Sequence, residues 1–150
     1  MIDLKTGHLL ISEQYTLTPQ TSLAALKKQL LDVPQNTREM GTDYQWVDVK
    51  NFKIDQLYFN ISFLFKNQKI EGCTFTFQSD PYENSPSWGS WSKEAEETNL
   101  IRFNNWLDQQ LDGARVLEWG KVEAYYDSKT AGSAIRLSYN TSLLNRIKNL

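Results

Sequence analysis

Apolar and polar positions alternate with two different periods along the chain, and each period predicts a different element. In "QLYFNISFLF" Phe59, Ile61, Phe63 and Phe65 alternate with Tyr58, Asn60, Ser62 and Leu64; in "IEGCTFTFQ" Cys73, Phe75 and Phe77 alternate with Thr74, Thr76 and Gln78. A period of two with one apolar side predicts antiparallel strands covered on one face. "YQWVDVKNFKI" shares their aromatic and β-branched composition, and the polar "KNQK" that separates the first two is of hairpin length. The helical period appears twice. "TSLAALKKQLLD" offers Thr21 or Ser22 as N-cap, repeats Leu23, Leu26 and Leu30 with Lys27 and Lys28 outward, and stops before Pro34. A longer helix is expected over about residues 92 to 111. Ser92 caps it, Glu94, Glu96 and Glu97 suit the positive end of its dipole, and Leu100, Phe103, Leu107 and Leu111 form one stripe that Ala95 and Trp106 widen. Gly113 is placed to end it.

Shorter signals complete the order. "HLLIS" and "YTLT" read as two short strands, "LEWGKVEAYYD" and "SAIRLSY" as a hairpin with Val122, Ala124, Ile135 and Leu137 on its inner side, and residues 142 to 150 as a short C-terminal helix. The sequence β-β-α-β-β-β-α-β-β lacks the βαβ alternation of doubly wound folds. It predicts an α+β protein: an antiparallel sheet of about six or seven strands with two main helices on one face. No repeat, low-complexity tract or long linker divides residues 1 to 150, so a single domain is expected.

Composition adds that the core is aromatic. Aromatics make up 13% of the residues, five Trp and seven Phe among them, and a chain of this size buries roughly 70% of its unfolded surface without needing disulfides or metal. Cys73 is the lone cysteine, "MIDLKTGHLL" has no signal-like apolar run, and no segment approaches the ~18 apolar residues of a membrane helix, so a reduced cytoplasmic setting is expected. In its apolar strand Cys73 is expected to be a buried, inert thiol.

The net charge of −2 is unevenly spread. Residues 80 to 127 hold ten acids and four bases, residues 1 to 79 eight of each, and residues 128 to 150 four bases and no acid. The middle segment would repel a nucleic acid and steer a basic protein, although acids on a solvated helix are the ordinary alternative.

The chemistry of catalysis is hard to assemble from these residues. With His8 the one histidine, no zinc site of ordinary ligand spacing can be built within the chain; a Ser/His/Asp relay could only use His8, no G-x-S-x-G stretch is present, and His8 itself reads as structural. Neither phosphate-loop pattern occurs, and there is no calcium loop, so no cofactor is expected. Carboxylates beside tryptophans (Asp80, Glu83, Trp88, Trp91, Glu118, Trp119) could in principle serve a glycosidase or a sugar-binding module. "DYQWVDVKNFKIDQLYF", with Lys50 and Lys53, could serve a binder of single-stranded nucleic acid, but its aromatics alternate as a core face should.

Three stretches carry a family resemblance: "MIDLKTGHLLIS", a tryptophan followed by a helix ending "NNWLDQQL", and "LEWGKVEAYYDSKTAGSAIRLSY". Together they resemble a group of small bacterial proteins that accompany polymorphic toxins and act as immunity proteins, including those of contact-dependent growth inhibition. The resemblance implies a cytoplasmic, non-enzymatic protein that binds a cognate toxin's catalytic domain, and the acidic segment suits a basic, nuclease-type toxin. The alternative is a module that binds carbohydrate or single-stranded nucleic acid through surface aromatics.

For the partner surface, the outward face of the long helix stands out, with Ile101 set among Glu94, Glu97 and Asp108 as an apolar anchor in a charged rim. In "SPSWGSWSKEAEE" Trp91 precedes the Ser92 cap and is expected to pack, whereas Trp88, between Ser87 and Gly89, is the candidate ligand contact.

Overall fold

The computed structural model describes residues 1–83 and 92–140. Eleven elements appear among them: β1 (Leu9–Leu10), β2 (Thr16–Leu17), α1 (Leu23–Gln29), β3 (Gln35–Glu39), β4 (Tyr44–Ile54), β5 (Leu57–Lys66), β6 (Lys69–Gln78), α2 (Lys93–Leu111), β7 (Val116–Leu117), β8 (Gly120–Asp127) and β9 (Gly132–Tyr139). The class is α+β, as expected, but the order differs. Strands β3 and β7 are additional, and β1 and β2 form a separate two-stranded sheet beside a seven-stranded antiparallel sheet ordered β3-β4-β5-β6-β9-β8-β7. The C-terminal helix expected over residues 142 to 150 lies outside the described residues.

Local chemistry explains the main turns. Asn67 and Gln68 both take positive φ between β5 and β6, the conformation of the tight turn whose twist matches that of paired strands. β4 gains an extra residue against β5 between Val49 and Phe52, where Asn51 has φ 54°, and a second irregularity lies at Leu64/Phe65 against β6. Bulges of this kind bend a sheet and increase its twist.

One face of the large sheet holds the core. Phe59, Phe63, Phe65, Phe75, Phe77, Val122, Ile135 and Leu137 are buried in one cluster with Ile2, Leu9, Ile11 and Leu17 from the N-terminal segment, Leu23, Leu26 and Leu30 from the α1 region, and Phe103, Leu107 and Leu111 from α2. Trp106 of α2 meets Phe75 edge-on, with ring centroids 5.8 Å apart, and also contacts Phe59 and Phe77. Ala95 is exposed, contrary to the expected stripe; Glu96 turns inward instead, and its carboxylate accepts the Ser133 backbone N–H at 2.8 Å. Asp112, not Gly113, is the helix C-cap, in a left-handed conformation.

Both helices start as expected, since Ser22 Oγ accepts from Ala25 N and Ser92 Oγ from Ala95 N. Ser92→Ala should lower stability by about 1 kcal/mol, the usual worth of such a cap. Urea unfolding checks it: a midpoint equal to that of the wild type would show that the cap contributes nothing.

The N-terminal segment is fastened to the β8–β9 hairpin region. Trp119 donates its indole N–H to the Leu4 carbonyl at 2.9 Å, its ring lies against Gly7, and the Tyr139 hydroxyl donates to the Gly7 carbonyl at 2.7 Å. Trp119 is therefore a buried clamp and is withdrawn from any sugar platform.

Candidate interaction surface

Alternation that buries one side of each strand leaves the other side to be accounted for. Side chains from β4 to β9 that point away from the core form a broad open face; among the described residues α1, α2 and the small sheet all pack on the opposite side. The Pro81–Glu83 segment borders one end of this face. There the Asn51 side chain holds the Tyr82 backbone by two hydrogen bonds, and Lys50 Nζ donates to the Glu83 carbonyl.

Two adjoining hollows lie on this open side, one of about 630 Å³ whose walls include Asp48, Lys50, Asn60, Ser62 and Thr76, the other of about 340 Å³ beside Tyr44, Trp46, Leu64, Glu71 and Arg136. Thr74 lines both.

The face is built of cations laid over rings. Arg38 lies 5.4 Å from the Trp46 ring centroid, Lys66 5.3 Å from Tyr44, Lys53 5.7 Å from Tyr58, and Arg136 4.3 Å from Tyr125. Cross-strand pairing explains three of these, because Arg38 is opposite Trp46, Lys66 opposite Tyr44 and Lys53 opposite Tyr58. A cation over a ring is an attractive and geometrically defined contact. Arg38 also grips Asp48 through two nitrogens, and Ser62 Oγ donates to the same carboxylate at 2.6 Å. Burial works against the charge on Asp48, but the hydrogen bonds from Arg38 and Ser62 outweigh it and hold the carboxyl below its usual range. Glu123 pairs with both Lys121 and Arg136.

The expectation that the aromatics of "DYQWVDVKNFKIDQLYF" alternate as a core face holds for Phe59, which is buried, and for its cross-strand partner Phe52, which packs half-buried against the core. Tyr44, Trp46 and Tyr58 point to the open face, and Val47 and Val49 take the core positions between them. No signal in the strand itself distinguishes the two sides, since both carry large residues. Cross-strand pairing does: placing Val47 opposite Phe63 puts Trp46 opposite Leu64 and away from the core.

On the long helix, Glu94, Glu97, Ile101 and Asp108 are all exposed, Ile101 at 62%. The rim is less acidic than the sequence suggests, because the Arg115 guanidinium donates to Asp108 at 2.7 Å and to the Asn104 carbonyl and side-chain oxygens. Trp88 and Trp91 lie outside the described residues. Cys73 is buried, and burial pushes its thiol up to about 12, far from the thiolate a nucleophile needs. Among the described residues no three His, Cys, Asp or Glu side chains gather as metal ligands would, and no helix is long and apolar enough to cross a membrane.

No protein-family model and no curated protein matches the sequence. A solved structure does match the fold: a chain of "Rhs1-CT in complex with cognate immunity protein RhsI1" aligns with a TM-score of 0.52 and 14% identity, covering 95% of this chain and 89% of that one. The fold is one found in a toxin–immunity complex. The likeness spans nearly the whole chain and concerns the architecture of sheet and helices. It agrees with the resemblance to polymorphic-toxin immunity proteins carried by the three sequence stretches.

Proposed function

We propose that this chain is an immunity protein: a non-enzymatic, cytoplasmic inhibitor that binds the toxic domain of a cognate polymorphic toxin, of the kind used in contact-dependent inhibition. The observation that carries the reading is the fold shared over 95% of the chain with a member of a toxin–immunity complex. It is supported by the immunity-type sequence stretches and by a large sheet face that no helix or small-sheet strand among the described residues covers. The sequence alone suggests a basic, nuclease-type toxin that meets the outer face of α2 through Glu94, Glu97, Ile101 and Asp108, with Trp88 as a further contact; the charge and side chains of the sheet face favour a different surface. Part of the acidic charge of α2 is already engaged, with Asp108 held by Arg115.

The test is growth. The C-terminal domain of the toxin encoded directly upstream is expressed alone and together with this chain. Restored growth with co-expression, and a purified complex of the two proteins, are the expected results. A toxin that kills equally in both strains and a chain that elutes alone would remove the immunity reading and favour the carbohydrate or nucleic-acid module.

A further inference from the structure

We propose that the open face of the seven-stranded sheet, and not the outer face of α2, is the docking surface for the toxin domain, and that it receives an acidic, carboxylate-bearing projection of that domain. The proposal rests on the immunity reading above and identifies the surface and the chemistry of the contact.

Charge gives the first argument. The whole chain is net negative, at −2. Its open face nevertheless carries Arg38, Lys53, Lys66, Lys69, Lys121 and Arg136 against Asp48, Glu71, Glu123 and Asp127, with Lys50 already engaged at its border by the Glu83 carbonyl. Within that set Arg38 is matched by Asp48, and Lys121 and Arg136 by Glu123. The excess positive charge therefore collects on β4, β5 and β6, where Lys53 and Lys66 extend over tyrosine rings at opposite ends of the paired β4 and β5 strands. A partner bringing carboxylates is steered to this face and repelled by the exposed acids of α2.

Side-chain type gives the second. Residues that carry most of the energy in protein complexes are Trp, Tyr and Arg held in place before the partner arrives. Trp46, Tyr44, Tyr58 and Tyr125 are held in this way by the cations above them, whereas the candidate contact face of α2 offers Ile101 as its large apolar group. Area is also adequate. The five long strands, of eight to eleven residues, cover roughly 700 Å² at ordinary strand spacing and rise, close to the about 800 Å² per partner of a standard complex. The paired hollows give a projecting loop somewhere to seat.

A nucleic acid fits the same face less well. Bases stack on bare rings, but these four rings already hold cations, and Asp48, Glu71 and Glu123 interrupt any track for phosphates. A carboxylate can instead pair with a cation while leaving it on its ring.

The experiment uses the full chain and the C-terminal domain of the upstream toxin, made catalytically inactive for purification. Three proteins are compared by calorimetry and stopped-flow association: the double variant Lys53→Glu/Lys66→Glu, the single variant Trp46→Ala, and the helix-face variant Glu94→Lys/Glu97→Lys. Circular dichroism and thermal melting confirm that each is folded, and the two charge-reversal variants change only exposed side chains. Losses of about tenfold or more are expected for both sheet-face variants, in line with hot-spot truncations. For Lys53→Glu/Lys66→Glu the loss should appear mainly as slower association at low salt. The helix-face variant should bind as the wild type does or associate faster. Loss of binding in the helix-face variant with retention in both sheet-face variants overturns the proposal and leaves the immunity reading standing. Failure of the wild-type chain to bind the domain overturns both. A fluorescein-labelled single-stranded oligothymidylate serves as the competing probe: tight binding at physiological salt that Lys53→Glu/Lys66→Glu abolishes would assign the face to nucleic acid instead.

Discussion

Replacing Gly72 with alanine should destabilise the protein by about 3 kcal/mol, lowering the melting temperature by roughly 6–12 °C for a chain of this size. A Cβ at this position would stand 2.0 Å from the Leu137 carbonyl oxygen and 3.1 Å from the Ser138 Cα. Both are backbone atoms of the neighbouring strand and cannot turn aside as a flexible side chain would. Gly72 ends the ladder of four pairs that joins β6 to β9, from Gly72 opposite Ser138 to Phe75 opposite Ile135. This short ladder connects the β3–β6 half of the sheet to the β7–β9 half. Forcing β9 away therefore opens a seam through the middle of the sheet and beneath α2, which packs over β8 and β9. Gly120→Ala should act similarly from the other side of β9, since its Cβ would lie 2.1 Å from the Ser138 carbonyl oxygen. Gly132→Ala is the control, with nothing nearer than 3.8 Å, and its melting temperature should stay close to that of the wild type. Equal melting temperatures for all three variants would mean that the strands separate at little cost.

Strand pairing of this kind marks where sequence reading stops. The β5 and β6 strands were legible because an unbroken alternation of large apolar and small polar residues has one physical solution, and α2 because its cap, acids and apolar stripe agree. β3 was not legible. "QNTRE" contains no apolar residue, and it is a strand because β4 offers it hydrogen bonds along one edge. β7 is two residues long and depends on β8 in the same way. The segments of β1 and β2 read as strands, but their separation into a second sheet follows from tertiary packing that periodicity does not encode.

The candidate surface divides along the same line. Exposure of Glu94, Glu97, Ile101 and Asp108 follows from helical geometry and was readable; the engagement of Asp108 by Arg115 across the helix C-terminus was not. Trp46 was harder still. In a strand with large residues on both sides, composition favours burial for a tryptophan, and only the register of β4 on β5 shows that valines fill the core positions. The pairing of Tyr44, Trp46, Tyr58 and Tyr125 with cations joins residues on neighbouring strands. No single segment contains it.

Raising the pH should destabilise this protein, with Cys73 carrying the first part of the loss and Tyr139, together with the half-buried Tyr82, adding to it at higher pH. Below pH 9 the Cys73 thiol is neutral in both the folded and the unfolded chain and its burial carries no electrostatic penalty. Above its ordinary value of 9.0 the unfolded thiol ionises, while burial keeps the folded one protonated up to about 12. Each pH unit in that window then favours the unfolded chain by about 1.4 kcal/mol, so roughly 3 kcal/mol is lost by pH 11 from this one group. Tyr139 adds to the loss above its ordinary value of 10.0, because burial and the neighbouring Cys73 both raise its hydroxyl. Urea unfolding at pH 8, 9, 10 and 11 measures the fall. Cys73→Ala should be somewhat less stable at pH 8, through the lost packing of the sulfur, yet should flatten the curve between pH 9 and 10, where the tyrosines are still silent. Tyr139→Phe should leave that lower portion unchanged and make the curve above pH 10 less steep, with the Cys73 contribution remaining, while costing about 1–3 kcal/mol below pH 10 because the Gly7 carbonyl loses its donor. An identical slope between pH 9 and 10 in the wild type and in Cys73→Ala would show that the thiol is hydrated in the folded protein, and that the centre of the sheet is looser than its packing implies.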